Sequence, residues 1–198
     1  MKKNQHHFVL FCLFCLFCIL CSGCGYRLDG EGSGLQTYYR ALEETETHRT
    51  DLQKAGPEAE RRAIERFIDF YRDFNAVVIA RDVQSLYAEE AYFRDPIREV
   101  RGIDSIETYF LHSTESFVSC TFDVVDVAHR DGNYYLRWIM HLTLKRDAAD
   151  PIEASGLSHL RFNGTGKVIF HRDYWDLDII YERLPFIGPL IVWVRGKM

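Results

Sequence analysis

The sequence predicts an α+β fold in which a curved antiparallel sheet wraps around helices. Helical periodicity is concentrated before residue 118, and four strand-like segments follow it. The breaks between those segments are short and rich in Gly, Asn and Asp, as hairpins require. A hydrophobic content of 47% over 198 residues suffices for one domain with a sizeable core, and is too little for two comfortable ones.

Residues 1–23 read as a leader. Lys2 and Lys3 precede an apolar run from Phe8 to Leu20, and Ser22-Gly23 are the small residues before a processing site. Five of the six cysteines fall in this stretch at 12, 15, 18, 21 and 24. Their spacing imitates a chain of metal ligands, but the run has no polar groups to support one, so no metal site is expected. Residues 24–57 read as a tether and spacer. Gly25, Gly30, Gly32 and Gly34 loosen its first part, and Leu35 to Lys54 is a spacer or a loosely packed helix.

The domain is expected over 58–185. Ile64, Phe67, Ile68, Tyr71, Phe74 and Val78 recur at three and four, predicting a helix from Glu58 to about Val78. A shorter helical piece spans Asp82 to Ala88. Tyr92 to Pro96 is a short strand ended by proline. A further helix, capped by Asp104 or Ser105, carries Ile106, Tyr109, Phe110 and Phe117 on one face. The four strands are Val118–His129, Tyr134–Lys145, Ile152–Phe162 and Lys167–Trp175. In the second, Tyr134, Leu136, Trp138, Met140, Leu142 and Leu144 share the richer apolar face and should meet the helices. That parity puts His141 on the opposite face, and His159 too if Ser158 points inward; both read as surface or subunit-contact residues. Cys120 reads as a buried, inert thiol. A closing helix is expected over Asp176–Arg183. The apolar tail, residues 186–198, either packs on the domain, meets a second subunit or touches lipid, with packing the leading expectation.

Function concentrates at His171-Arg172-Asp173-Tyr174-Trp175-Asp176. Alternation puts His171, Asp173 and Trp175 on one strand face, an ionisable pair beside an indole. An inward carboxylate must be paired or raise its pKa. Asp173, with His171 or Tyr71 as its partner, and Asp95 are therefore candidate acid–base residues, or members of a satisfied polar network at a pocket mouth. Asp95 before Pro96 also reads as a turn carboxylate that accepts backbone N–H bonds. Tyr71, Tyr92, Trp138, Met140, Ser158 and Trp175 are the candidate pocket lining. Neither the net charge of −5 nor the pattern of bases favours nucleic acid, and no cofactor is implied.

Two resemblances follow from these residues. Leu20-Cys21-Ser22-Gly23-Cys24 resembles a bacterial lipoprotein signal, which implies lipid on Cys24 and a place in the cell envelope, at the outer membrane in a Gram-negative cell. The element order over about 58–185 resembles the nuclear transport factor 2-like superfamily in its SnoaL-like branch. That resemblance implies a cone-shaped sheet around a pocket, and a homodimer. Its enzyme branches can be compared residue by residue. The strand ending His171–Asp176 is similar to that of limonene epoxide hydrolase, with Asp173 as the acid, but Trp138 and Met140 stand where its partner charges belong. Asp95-Pro96 looks like the base position of ketosteroid isomerase, Tyr71 like its helix tyrosine, and Ser158 falls near its protonated acid. The leading expectation is binding of a small hydrophobic molecule. The alternatives are an isomerase, cyclase or hydrolase using Asp173, His171 and Asp95, or a dimerising scaffold. An unfilled pocket with Asp173 and Asp95 converging favours the enzyme; a cone filled by side chains favours the scaffold.

Overall fold

The computed structural model describes residues 34–184 and 187–197. The leader and residues 24–33, Cys24 among them, lie outside them. The chain divides into two compact units at Tyr38/Tyr39; the first is described only for Gly34–Tyr38, which begin helix α1 (Gly34–Glu44). In the second unit follow α2 (Asp51–Lys54), α3 (Pro57–Arg72), α4 (Ala76–Leu86), β1 (Tyr87–Arg94), β2 (Glu99–Arg101) and α5 (Ile103–Ser113). Then come β3 (Phe117–Arg130), β4 (Asn133–Leu144), β5 (Ile152–Phe162), β6 (Val168–Trp175), α6 (Asp178–Tyr181) and α7 (Gly188–Arg195).

The fold is α+β as expected, with a six-stranded sheet in the order β2-β1-β6-β5-β4-β3 that does not close on itself. One expectation changes: β1 and β6 run parallel, so the sheet is mixed. Hairpin breaks specify only strands adjacent in the chain. The β1–β6 pair joins the ends of a long excursion, and no turn constrains its direction. On β4 the predicted apolar residues are all buried, from Tyr134 to Leu144 in alternation.

The long predicted helix is two. Asp73-Phe74-Asn75 breaks it, and the Asn75 side chain accepts from Val77 N and Val78 N to start α4. Phe74 N is taken by Cys120 O of β3, which pins the break to the sheet. Apolar periodicity continues across the break because both helices bury the same side. The cap of α5 is Gly102, at φ 80°, ahead of the expected Asp104 or Ser105. The closing helix shrinks to the single turn of α6. Phe67, Phe70, Tyr71, Ile79, Val83, Ile106 and Phe110 from α3, α4 and α5 cover the concave sheet face.

The convex face is covered in part as well. Arg161 donates to Leu42 O at 2.6 Å and Thr45 Oγ1 at 2.9 Å, and pairs with Glu46 at 3.1 Å. His159 lies beneath this cover rather than at the surface. It is buried, meets Asn133 Oδ1 at 2.9 Å and stacks on Tyr135. Burial, with the Arg161 charge beside it, lowers its pKa to about 4. His141 is half-buried and pairs with exposed Asp123 and Glu153.

Candidate active site

The helices do not fill the concave face. A cavity of about 610 Å³ opens among α3, α5, β1, β3, β4, β6 and the segment around α6. Its walls are mostly apolar, including Phe74, Phe93, Phe122, Trp138, Met140 and Trp175. Two carboxylates, Asp95 and Asp173, lie in those walls. Exposed Ile97, Glu115, Lys145, Arg146 and Tyr181 mark its open side. The volume is that of a small-molecule site.

Asp173 is 14% exposed and its Oδ1 is the end of a buried hydrogen-bond system. Ser158 Oγ donates to it at 2.5 Å, and His171 Nε2 lies 2.7 Å away. Trp138 Nε1 donates to Ser158 Oγ at 2.9 Å, which leaves that hydroxyl's proton for Asp173. Behind the imidazole, His171 Nδ1 meets Tyr87 OH at 2.7 Å, and Tyr87 OH meets Tyr71 OH at 2.7 Å. With Asp173 ionised and His171 neutral, one proton arrangement satisfies every member. Nε2–H donates to Asp173, Nδ1 accepts from Tyr87, and Tyr71 donates to Tyr87. Burial, and the charge of Asp173, raise both tyrosine pKa values, so both hydroxyls keep their protons. Among the described residues no donor reaches Asp173 Oδ2.

The strands and packing enforce this arrangement. The β5–β6 register sets Ser158 beside Asp173 and Leu160 beside His171. His171 is fully buried in an aromatic box of Phe67, Tyr71, Tyr87 and Phe93. Gly156 makes room for the indole: a Cβ there would stand 2.1 Å from a ring carbon of Trp138.

Asp95 is held differently. Its Oδ1 accepts from Ile97 N at 2.8 Å and Arg98 N at 2.6 Å, the expected turn carboxylate. Its Oδ2 accepts from Tyr109 OH at 2.6 Å. Burial raises its pKa against these bonds, and the negative charge of Asp173 adds to the rise. The two carboxylates therefore sense each other across the cavity.

The sequence-based candidates divide accordingly. Tyr71, Asp95, Trp138, Met140, Asp173 and Trp175 line the cavity. His171 and Ser158 stand directly behind Asp173 and hold it. Tyr92 does not belong with them. It pairs with Phe170 on the convex face and stacks on that ring at 5.3 Å, while its neighbour Phe93 faces the cavity. Parity from Asp95 contains this answer, because Phe93 shares its face and Tyr92 does not. Tyr87 and Tyr109 were missed as site residues. Tyr109 lay in the predicted apolar face of its helix, and Tyr87 in a segment read as helical. Among the described residues no cluster of His, Cys, Asp and Glu suits a metal ion.

The family model for the SnoaL-like domain matches residues 64–171, ending two residues before Asp173. No curated protein matches the chain. Solved structures do. One is a Catenulispora acidiphila protein with a ketosteroid isomerase-like fold, in complex with trimethylamine. It is 13% identical over 60% of this chain and 88% of that one, with a TM-score of 0.52. A candidate SnoaL-like polyketide cyclase from Jannaschia sp. is 14% identical over 64% and 91%, with a TM-score of 0.51. An NTF2-like protein of unknown function from Exiguobacterium sp. is 16% identical over 58% and 98%, at 0.50. These likenesses are to the fold.

Proposed function

The chain belongs to the SnoaL-like domain family, and from that premise we propose that it binds a largely hydrophobic small molecule and transfers a proton on it through Asp173. One observation carries this reading. Asp173 Oδ1 is fixed by Ser158 and His171, while the side chain lies in the wall of an unfilled apolar cavity that also holds Asp95. A scaffold has no need of that arrangement, since a cone of packed side chains serves it better.

The chemistry fits an isomerisation or ring closure. Asp173 takes a proton from a carbon beside a carbonyl: the substrate C–H bond breaks, an O–H bond forms on Asp173, and the electron pair moves onto the carbonyl oxygen. A protonated Asp95, favoured by burial and by the charge of Asp173, donates to that oxygen. The proton on Asp173 then returns to another atom, or the new carbon nucleophile attacks within the same molecule. His171 keeps its Nε2–H on Asp173 throughout, and Tyr87 fixes that tautomer. Asp173 takes the base role rather than Asp95, the base position that the ketosteroid isomerase resemblance implies, because Asp173 Oδ2 meets no donor among the described residues whereas both Asp95 oxygens accept hydrogen bonds.

We also propose, from the leader, that lipid on Cys24 holds the domain at a membrane.

Native mass spectrometry of the protein purified gently from its own host tests the site. An adduct lost in Trp138→Ala and kept in Asp173→Asn is expected. Incubated in heavy water, the released ligand should gain deuterium with the wild type and at least 100-fold more slowly with Asp173→Asn. An adduct that never gains deuterium or changes mass reduces the protein to a carrier. No adduct removes both readings.

A further inference from the structure

The tail was expected to pack on the domain, but among its described residues, 187–197, the large apolar side chains are mostly exposed. Helix α7 buries Gly188 alone. Ile187, Leu190, Trp193 and Val194, spaced at three and four, are 47, 59, 61 and 42% exposed. The helix is nonetheless fixed in place. Arg195 bonds to Asp178 and Glu182 beside α6. Gly188 backs onto the Glu182 carbonyl so closely that a Cβ would sit 2.0 Å from its oxygen. An apolar stripe is therefore held against solvent rather than left to find cover in the core.

We propose that α7 lies in the surface of a lipid bilayer. Three features select lipid over a second copy of the chain. The stripe exposes on the order of 500 Å², short of the roughly 800 Å² per partner of a stable dimer. Ile187 to Lys197 contains no acid and ends in Lys197, and a tryptophan among aliphatics is suited to the headgroup boundary. Ten residue steps lead from Cys24 to Gly34, which caps that span at roughly 35 Å. A body of this size is about 40 Å across, so lipid on Cys24 keeps it within about its own width of a bilayer. Ile180, Tyr181 and Leu184, just before α7, line the cavity. Docking of α7 brings that rim to the lipid, and a hydrophobic ligand then enters without crossing water.

The test uses the full chain in vesicles of phosphatidylethanolamine and phosphatidylglycerol, with and without acyl-brominated phosphatidylcholine. Subtracting the emission of Trp193→Phe protein isolates Trp193 from Trp138 and Trp175. The expected result is that brominated chains remove at least half of the Trp193 emission, and that Leu190→Glu restores it. Unquenched emission from a monomer overturns the proposal. So does unquenched emission from a dimer that Trp193→Glu dissociates, which gives the stripe to a second copy instead. The side chain of Leu190 is exposed, so its substitution leaves the core intact.

Discussion

His171 and His159 are both buried, lie on neighbouring strands of one sheet, and face opposite ways. His171 looks into the concave face, where its two nitrogens meet Tyr87 OH and the Asp173 carboxylate. His159 looks into the convex face, where it meets Asn133 and stacks on Tyr135 beneath the end of α1. At His159 burial disfavours the imidazolium. The difference is the partner. A carboxylate beside His171 can balance a positive charge and carries the network to the wall of a cavity. Beside His159 the charged neighbours are Arg161 and Arg172, which oppose protonation. One histidine belongs to a hydrogen-bond relay that ends on a carboxylate in the cavity wall, and the other is a packed polar filler.

The largest test of that contrast is catalytic. Asp173→Asn keeps the shape and removes the base, and should slow ligand proton exchange by 10²–10⁴-fold, as loss of a general base does. His159→Gln should change the same rate by less than about twofold, because nothing on the convex face reaches the cavity. Equal losses in the two variants would erase the distinction.

Acid unfolding separates the histidines next. His159 has a folded pKa of about 4 against 6.5 in the unfolded chain. Between those values the unfolded chain binds the proton and the folded one does not. Its contribution is therefore complete above pH 6.5 and is lost as pH falls to about 4, on the order of 3 kcal/mol in all. Urea midpoints measured across that window should fall steeply in the wild type and flatten in His159→Gln.

Tyr87→Phe should cost about 1–3 kcal/mol, since it leaves His171 Nδ1 and the Tyr71 hydroxyl unpaired in the interior. Denaturant titration measures this, and the slope with denaturant should not change. A neutral result would mean that water replaces the hydroxyl and that the relay is not closed.

Legibility followed alternation. The β4 core face, the β5 boundaries and the His171–Asp173 pairing were readable because each residue's face follows from its neighbours'. Legibility failed where alternation had no anchor. Tyr92 and Phe93 are both large aromatics, so composition does not say which faces in. Tyr87 starts a strand directly from a helix without a turn residue, and nothing local announces the switch. The burial of His159 was hidden for another reason: its cover comes from Leu42–Glu46, more than a hundred residues earlier, in a stretch that reads as spacer. The exposure of α7 was missed because an apolar run normally implies packing, and only the tertiary structure shows that Leu190, Trp193 and Val194 stay exposed.

The smallest expected effect is also the one whose sign sets the two faces apart. Asp95 has a folded pKa above its unfolded value of 3.8, because burial and the Asp173 charge outweigh its hydrogen bonds. From 3.8 up to that raised pKa the folded chain holds the proton and the unfolded chain does not. Asp95 therefore costs stability as pH rises through this window, and returns it as pH falls. That is opposite in sign to His159. Asn at 95 keeps an oxygen for Ile97 N and Arg98 N and carries no charge. Asp95→Asn should raise the stability slightly at neutral pH and make the acid-side decline steeper than in the wild type, because the opposing contribution is gone. The comparison is made by urea midpoints at half-unit pH steps. A shallower decline in Asp95→Asn would mean that Tyr109 and the two backbone donors dominate and hold Asp95 ionised. The electrophile in the proposed reaction would then have to be a different group.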